Sequence, residues 1–475
     1  MRSSLVLIII LLLAAALRLW GLGTESLWLD EALTAHRAST SVAQLVHDFR
    51  GESQTLLYFL GEKAWCAVFG RSEAALRFPS AVFGVLTVWA VFLLAQQLFS
   101  TAAALWSAFF LAINPFAIYY SQEARPYALL LLAAVLSLYF LLQFLRSRSP
   151  AAICGYLISA SIALYSHPLG PLLLLVHGAM IFLFREHAEG RYLRRTMGLV
   201  AAACVLYLPQ LVFMWLAIMN KAKGTGPASW IPKPGLINLV DTIRQYFMSP
   251  YLAGFAFAFL ILTLVIFLRK GRADRRGFYL SAVLFFAFVP LLWIVSFVLT
   301  PLYVVRFTIP ALIAVLLVLG WGLAAMKLRW RMTALCVYLL LTVHALYAYY
   351  TMTDKDPWRR TAQLLREKVQ PADLVVLNAP YIKLPRDYYD SAPSGVMVVA
   401  PRSLQEIPVA LDTVKCVWFV RAYPFSRQGL TDSLYVRAAR GRTIGLTVHV
   451  NDLERQNPWS YWIADISVTH YDREP

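Results

Sequence analysis

The sequence predicts an α-helical polytopic membrane protein of about eleven transmembrane helices, carrying a small C-terminal α/β domain. Three observations predict it. Of 475 residues, 59% are hydrophobic and only 15% charged, against roughly 25% charged in soluble proteins. The apolar residues gather in long runs of about 18 or more with almost no charge, the signature of a membrane-spanning helix. Residues 354–475 then return to an ordinary soluble composition. Only helices or closed barrels satisfy the backbone inside lipid. These runs are continuous rather than alternating, which selects helices over a barrel.

The spans fall at roughly 4–22, 79–97, 102–120, 126–145, 151–166, 168–184, 196–218, 251–268, 278–299, 303–325 and 332–350. The fifth and sixth are short, separated only by Ser166-His167-Pro168. The first run could be read as a cleaved signal peptide, with Leu5–Leu17 as its core. Leu17-Arg18-Leu19-Trp20 is a poor cleavage site, however, and Trp20 suits an interfacial anchor, so a retained helix is expected.

A net charge of +17 would suggest nucleic acid in a soluble chain. Here the basic residues sit in short loops between spans. With a cytoplasmic N-terminus, Arg146 and Arg148; Arg185, Arg191, Arg194 and Arg195; Arg269, Lys270, Arg272, Arg275 and Arg276; and Lys327, Arg329 and Arg331 all fall on the cytoplasmic side. The opposite links Ser166–Pro168 and Thr300–Pro301 carry no Lys or Arg. Five cysteines (Cys66, Cys154, Cys204, Cys336 and Cys416) match no zinc or CxxC spacing, and buried apolar packing is their default reading.

Three stretches are expected on the outer side. The loop 23–78 holds the helix-like pieces Ser41–Phe49 and Leu56–Phe69, each with an apolar stripe suited to lying along the membrane surface. The stretch 219–250, rich in Gly, Pro and Lys, reads as irregular. The tail opens with a helix over Pro357–Lys368. Strand-like runs follow at Asp373–Asn378, Val396–Ala400, Cys416–Arg421, Thr443–Val450 and Ile463–His470. The domains are therefore 1–353, with the outer loop 23–78, and the α/β domain 354–475.

Ionisable residues collect at the outer ends of spans. Asp30 and Glu31 follow the first span, Glu123 and Arg125 lie at the third-to-fourth junction, and Arg306 stands near the start of the tenth. Charges at such depth are candidates for function. A carboxylate could take a proton from an acceptor hydroxyl, and arginines could bind a phosphate bidentately. That combination suits transfer from a lipid-phosphate donor. Each residue also has a plainer reading. Asp30 and Glu31 could complement the dipole of a surface helix. Arg125 and Arg306 could snorkel to headgroups. His167 reads first as a surface residue. Trp20, Trp28, Tyr119, Tyr120 and Trp230 read first as an aromatic belt. Asp387, Tyr388 and Tyr389 read as part of a solvated helix.

Four stretches, in order, carry a resemblance. They are Leu17-Arg18-Leu19 with Ser26-Leu27-Trp28-Leu29-Asp30-Glu31-Ala32; Gly70–Ser80; Asn114-Pro115-Phe116 with Tyr119-Tyr120-Ser121-Gln122-Glu123-Ala124-Arg125-Pro126-Tyr127; and Pro301-Leu302-Tyr303-Val304-Val305-Arg306-Phe307. Together they resemble the polyprenyl-phosphate-sugar glycosyltransferases of the C-type fold. The subgroup is the protein mannosyltransferase-like family, which includes lipid A aminoarabinose transferases. The similarity covers residues 15–145 well and 300–310 weakly. It implies Asp30 as catalytic base with Glu31 beside it. Glu123, Arg125, Tyr127, Tyr303 and Arg306 would line the donor and phosphate pocket. The implied reaction inverts the anomeric centre and passes a sugar from polyprenyl phosphate to a lipid, glycan or protein acceptor at a bacterial inner membrane. Divalent-metal use varies among such families, and the chain shows no His-rich ligand set, so no metal or other cofactor is assigned.

One departure stands out. The family's His-Pro-Pro-Leu-Tyr run corresponds here to Ser53-Gln54-Thr55-Leu56-Leu57-Tyr58, without the His or either proline. That leaves acceptor choice open, along with the alternative of an inactive relative. The rival from another class is a transporter or flippase of lipid-linked substrates. Transporters tend to show internal repeats and polar broken helices at mid-membrane; this chain shows neither clearly. A binding or sensing tail on a membrane anchor would not need eleven spans.

Overall fold

A computed structural model describes residues 2–49, 54–185, 191–222, 231–270, 274–389, 396–401, 414, 416–422, 434, 436, 438–439, 442–453, 456 and 465–473. Ser53, Trp230 and Arg272 lie outside them. The helices are α1 (Arg2–Leu19), α2 (Leu29–Ser39), α3 (Val42–Phe49), α4 (Leu56–Phe69), α5 (Glu73–Leu98), α6 (Thr101–Ile113), α7 (Pro115–Ser121), α8 (Tyr127–Ser147), α9 (Pro150–Ser166) and α10 (Leu172–Leu183). They continue with α11 (Arg191–Ala222), α12 (Ile237–Phe247), α13 (Pro250–Lys270), α14 (Arg275–Phe288), α15 (Pro290–Val298), α16 (Ile309–Ala325), α17 (Leu328–Thr351), α18 (Trp358–Lys368) and α19 (Lys383–Tyr388). The chain forms two compact units. One comprises Met1–Leu22, Thr40–Gly70 and Ala75–Leu346; the other comprises Gly23–Ser39, Arg71–Ala74 and Tyr347–Pro475.

The first unit is a multi-pass membrane bundle. Among the described residues, 7 helical stretches are long and apolar enough to cross a membrane, and α6 with α7 adds an eighth if that pair, bent by 61°, is one span. Three shorter apolar helices, in α1, α9 and α10, stand where the first, fifth and sixth spans are expected. Each expected span falls on one of these elements. The bends follow from sequence. Asn114 and Pro115 part α6 from α7, because proline removes a backbone donor and fits the first turn of a new helix. Asn114 Oδ1 caps that new helix by accepting from Ala117 N at 2.8 Å. Pro290 opens α15 in the same way, and α14 with α15 together form the apolar stretch Arg275–Val298, where the ninth span is expected.

Of the 7 long apolar stretches among the described residues, the one that holds α16 is the most buried. Its neighbours include α6, α13 and α14. Small residues let the backbones close, as is usual where lipid offers no hydrophobic drive between helices. A Cβ on Gly320 would stand 2.2 Å from Ser107 Oγ and 2.6 Å from its backbone N. Gly320→Ala will therefore destabilise the bundle by about 1–3 kcal/mol. Gly254→Ala, whose added methyl meets nothing within 4 Å, will not lower the thermal midpoint in lipid. Equal midpoints for the two variants would disprove this contact.

Several expectations are corrected. The stretch 219–250 is not wholly irregular. α11 runs to Ala222 and α12 occupies Ile237–Phe247, because the Gly/Pro-rich composition ends at Gly235 and apolar residues then recur at helical spacing. Trp28, Tyr119 and Tyr120 are buried rather than set in an aromatic belt, whereas Trp20 is exposed. Cys154 and Cys336 are exposed on helix surfaces while Cys66 is buried; an apolar exterior accepts a thiol as readily as a core does.

The second unit is built on a five-stranded sheet of β1 (Leu374–Leu377), β2 (Met397–Val399), β3 (Cys416–Arg421), β4 (Arg442–His449) and β5 (Ser467–Arg473). The order is β2-β1-β3-β5-β4. β1 pairs in parallel with β2 and β3, while β5 is antiparallel to both β3 and β4. One face carries Val375, Leu377, Trp418, Val420 and Val468 against Trp358 and Leu365 of α18. The other carries Leu374, Val376, Val417, Phe419 and Tyr471 against Leu434 and Ala438. Strands buried on both faces explain why β1 reads as an unbroken apolar run.

Gly23–Ser39 and Arg71–Ala74 belong to this unit too. Arg359 Nη1 donates to Thr24 O at 2.7 Å, and its Nη2 pairs with Glu73 Oε1 at 2.6 Å. Tyr389 lies not on a solvated helix but in this contact: Leu27 N donates to its hydroxyl at 2.7 Å, and the hydroxyl donates to Glu73 Oε1 at 3.1 Å. Burial, before any other influence, holds that phenol well above its ordinary pKa, so it keeps its proton to donate. Tyr388 donates to Arg71 O at 2.6 Å, and Asp387 pairs with Lys383 and Arg386.

Candidate active site

In the bundle, the candidate residues are positioned by two turns. The first joins α7 to α8. Ser121 Oγ accepts from Arg18 Nε at 3.2 Å, and Arg18 Nη1 also donates to Ala112 O at 2.8 Å. Gln122 Nε2 donates to Arg18 O at 3.0 Å and Trp20 O at 2.7 Å, capping the last carbonyls of α1. With α1 thus fixed, Glu123 and Arg125 are held in a tight turn, in which Arg125 N donates to Glu123 O at 2.8 Å. Both side chains are buried. Arg125 O accepts from Ser80 Oγ at 3.3 Å, and the Arg125 guanidinium lies 5.7 Å from the Phe59 ring.

The second turn is the 3-10 segment Val305–Thr308 that opens α16. Ser296 Oγ accepts from Leu302 N at 2.7 Å and Tyr303 N at 2.9 Å, fixing the approach to it. Tyr303 Oη and Thr242 Oγ1 are 2.5 Å apart, and Tyr246 Oη donates to Thr308 O at 2.8 Å. Arg306 is buried, with its guanidinium 5.7 Å from the Phe307 ring. Neither Arg306 nor Arg125 snorkels: each is covered by protein.

His167 joins the two turns, and it is buried rather than on the surface as a lone link histidine would be. Its ring lies 4.7 Å from Phe307 and 6.0 Å from Tyr127. Its Nδ1 accepts from Leu169 N at 3.2 Å, which leaves Nε2 as the protonated nitrogen. Burial first, then the charges of Arg125 and Arg306, pushes its pKa down to about 3. The two arginines, far apart in sequence, thus create a positive potential at one neutral imidazole. Glu123, Arg125, Tyr127 and Arg306 are brought to one neighbourhood, with Tyr303 on the approach to Arg306. Such a neighbourhood suits an anionic group.

In the other unit, Asp30 and Glu31 occupy the first turn of α2 and differ sharply. Asp30 is half-buried. Glu31 is fully buried and its Oε2 pairs with Lys355 Nζ at 3.0 Å; Lys355 is buried as well. Reading the sequence missed Lys355. The signal was the Asp354-Lys355-Asp356 run just after the last span, an ionisable cluster at a helix end like the others. It also missed His177 of α10, whose ring meets Tyr156 Oη at 3.1 Å and Ser137 Oγ at 3.0 Å across three packed helices.

Comparison with known proteins places this architecture. Residues 54–215 match the family model described as dolichyl-phosphate-mannose-protein mannosyltransferase. Comparison with curated protein sequences finds no match. Among solved structures, ArnT from Cupriavidus metallidurans is similar over 99% of this chain and 98% of its own, with a TM-score of 0.62 at 12% identity. The same protein bound to undecaprenyl phosphate gives a TM-score of 0.59 at 11% identity, over 98% of this chain and 97% of its own. The oligosaccharyltransferase AglB from Archaeoglobus fulgidus, in complex with an inhibitory peptide and a dolichol-phosphate, gives 0.54 at 14% identity, over 94% of this chain and 73% of its own. The chain therefore has the fold of the C-type membrane glycosyltransferases.

Proposed function

We propose that this protein is a glycosyltransferase that moves a sugar from a polyprenyl-phosphate donor to an extracytoplasmic lipid, glycan or protein acceptor. The observation that carries this reading is the convergence of buried Arg125 and Arg306 on His167, within a fold shared with proteins solved bound to polyprenyl phosphates. Arg125 and Arg306 bind the donor phosphate. His167, neutral and protonated at Nε2, adds a donor that brings no further charge. In the reaction, the acceptor oxygen forms a bond to the anomeric carbon from the face opposite the phosphate. The bond from that carbon to the phosphate oxygen breaks, and polyprenyl phosphate leaves with the electron pair. The arginines stabilise the charge that develops on it. Asp30 takes the acceptor proton as general base. Glu31, tied to Lys355, positions the first turn of α2 rather than reacting. Glu123, Tyr127 and Tyr303 shape the donor pocket.

The basic clusters at the ends of α8, α13 and α17 support a cytoplasmic N-terminus, with Asp30 and the α/β unit on the periplasmic side of an inner membrane. The test is sugar transfer by the purified protein in lipid, from a panel of radiolabelled polyprenyl-phosphate sugars to a crude envelope extract. Wild type will transfer one donor class, and Asp30→Asn will lose that transfer while staying folded. No turnover of any donor by wild type would overturn the reading in favour of a transporter or an inactive relative.

A further inference from the structure

The α/β unit holds a second concentration of ionisable side chains, unrelated to the donor residues. On the antiparallel pair β3 and β5, Cys416 stands opposite Asp472 and Trp418 opposite His470. Alternate residues of a strand share a face, so all four project the same way. Cys416 Sγ lies 3.1 Å from Asp472 Oδ1, and His470 Nε2 lies 3.4 Å from that same oxygen. The thiol, imidazole and carboxylate ligand atoms all fall within 4.8 Å of one another. In a tetrahedral zinc site, ligand atoms stand roughly 3.3–3.6 Å apart.

The surroundings fit the same purpose. β4 has a register irregularity between Ile444 and Leu446, where it passes His470. The extra residue is Gly445, and a Cβ there would sit 2.9 Å from His470 Nδ1 and 3.0 Å from Asp472 Oδ2. Glycine thus keeps open the space beside the two ligands. On the other side, Trp418 stacks on the His470 ring at 4.3 Å, and its Nε1 donates to buried Asp373 Oδ2 at 2.9 Å. Asp373 therefore fixes the indole, and the indole fixes the imidazole plane, as outer groups commonly orient a ligating histidine. A surface contact between His470 and Asp472 alone would explain neither the glycine nor the thiol.

We propose that Cys416, His470 and Asp472 bind one divalent transition-metal ion, with a fourth position open to water. The mixture of thiolate, imidazole and carboxylate favours zinc over calcium or magnesium. Binding requires the thiol to give up its proton to solvent. The His470 and Asp472 side chains are 17% and 42% exposed, so an ion can enter. The site does not depend on the reading of the chain as a glycosyltransferase, and metal content can be measured where no sugar transfer is seen.

The experiment uses full-length untagged protein, stripped with a chelator, loaded with Zn²⁺ or Co²⁺ and desalted. Wild type will retain one equivalent of zinc, and its cobalt form will show a thiolate-to-cobalt charge-transfer band. Cys416→Ser will lose that band, and His470→Ala and Gly445→Val will each weaken zinc about tenfold or more. Thermal melts in chelator separate binding from folding: Cys416→Ser will match the stripped wild type, while zinc will raise the midpoint of wild type alone. Failure of wild type to retain zinc, or equal retention and equal stabilisation in Cys416→Ser, overturns the site as an adventitious surface contact.

Discussion

Arg306→Ala will lower sugar transfer by about 10²–10³-fold, the usual consequence of removing one donor that stabilises charge in a transition state. Arg125→Ala will do the same. The loss is expected mainly in kcat, because the phosphate gains charge as the sugar leaves. Arg306→Lys will recover only part of it, since lysine keeps the charge but not the planar fork that grips two phosphate oxygens. Both arginines are buried, so folding must be checked by thermal midpoint, and polyprenyl-phosphate binding measured separately. A folded Arg306→Ala protein with unchanged kcat would remove this residue from the phosphate site. His167 provides a check on the same neighbourhood. With its pKa at about 3, it stays neutral from pH 5 to 8, so substituting it will not remove a titration step from the pH profile in that range.

Glu31→Ala will destabilise the protein by about 3–5 kcal/mol, because it removes a carboxylate that pairs with the buried Lys355 ammonium. The companion variant Glu31→Leu with Lys355→Met removes both charges and will restore most of the thermal midpoint, since an apolar pair of similar volume often replaces a buried ion pair at little loss. Asp30→Asn, at a half-buried position, will leave the midpoint nearly unchanged and abolish transfer. The two neighbours are thus separated by what they change: stability for Glu31, turnover for Asp30. Full activity in Asp30→Asn, or a double variant that is stable yet wholly inactive, would reverse these assignments.

The sequence by itself determined the elements. Apolar runs are a local property, and so each expected span lies on an apolar helix or on two consecutive ones. The helix at 358–368 and the first four strands were visible for the same reason, whereas β5 runs from Ser467 to Arg473, past the expected end at His470. Sequence order also marked Asp30, Glu31, Glu123, Arg125 and Arg306 as charges at helix ends. What it could not decide was burial and partnership, which depend on atoms distant along the chain. Asp30 and Glu31 look equivalent as neighbours; only the fold buries Glu31 against Lys355 and leaves Asp30 half-buried. His167 reads as a loop residue until Phe307 and Tyr127 pack near its ring and the charges of two distant arginines bear on it. Tyr389 reads as solvated until Leu27 and Glu73 reach it. Cys416, His470 and Asp472 match no ligand spacing in sequence, because strand pairing, not sequence separation, sets their distances. Periodicity carries the local information, and tertiary structure alone decides which charges are desolvated and which groups meet.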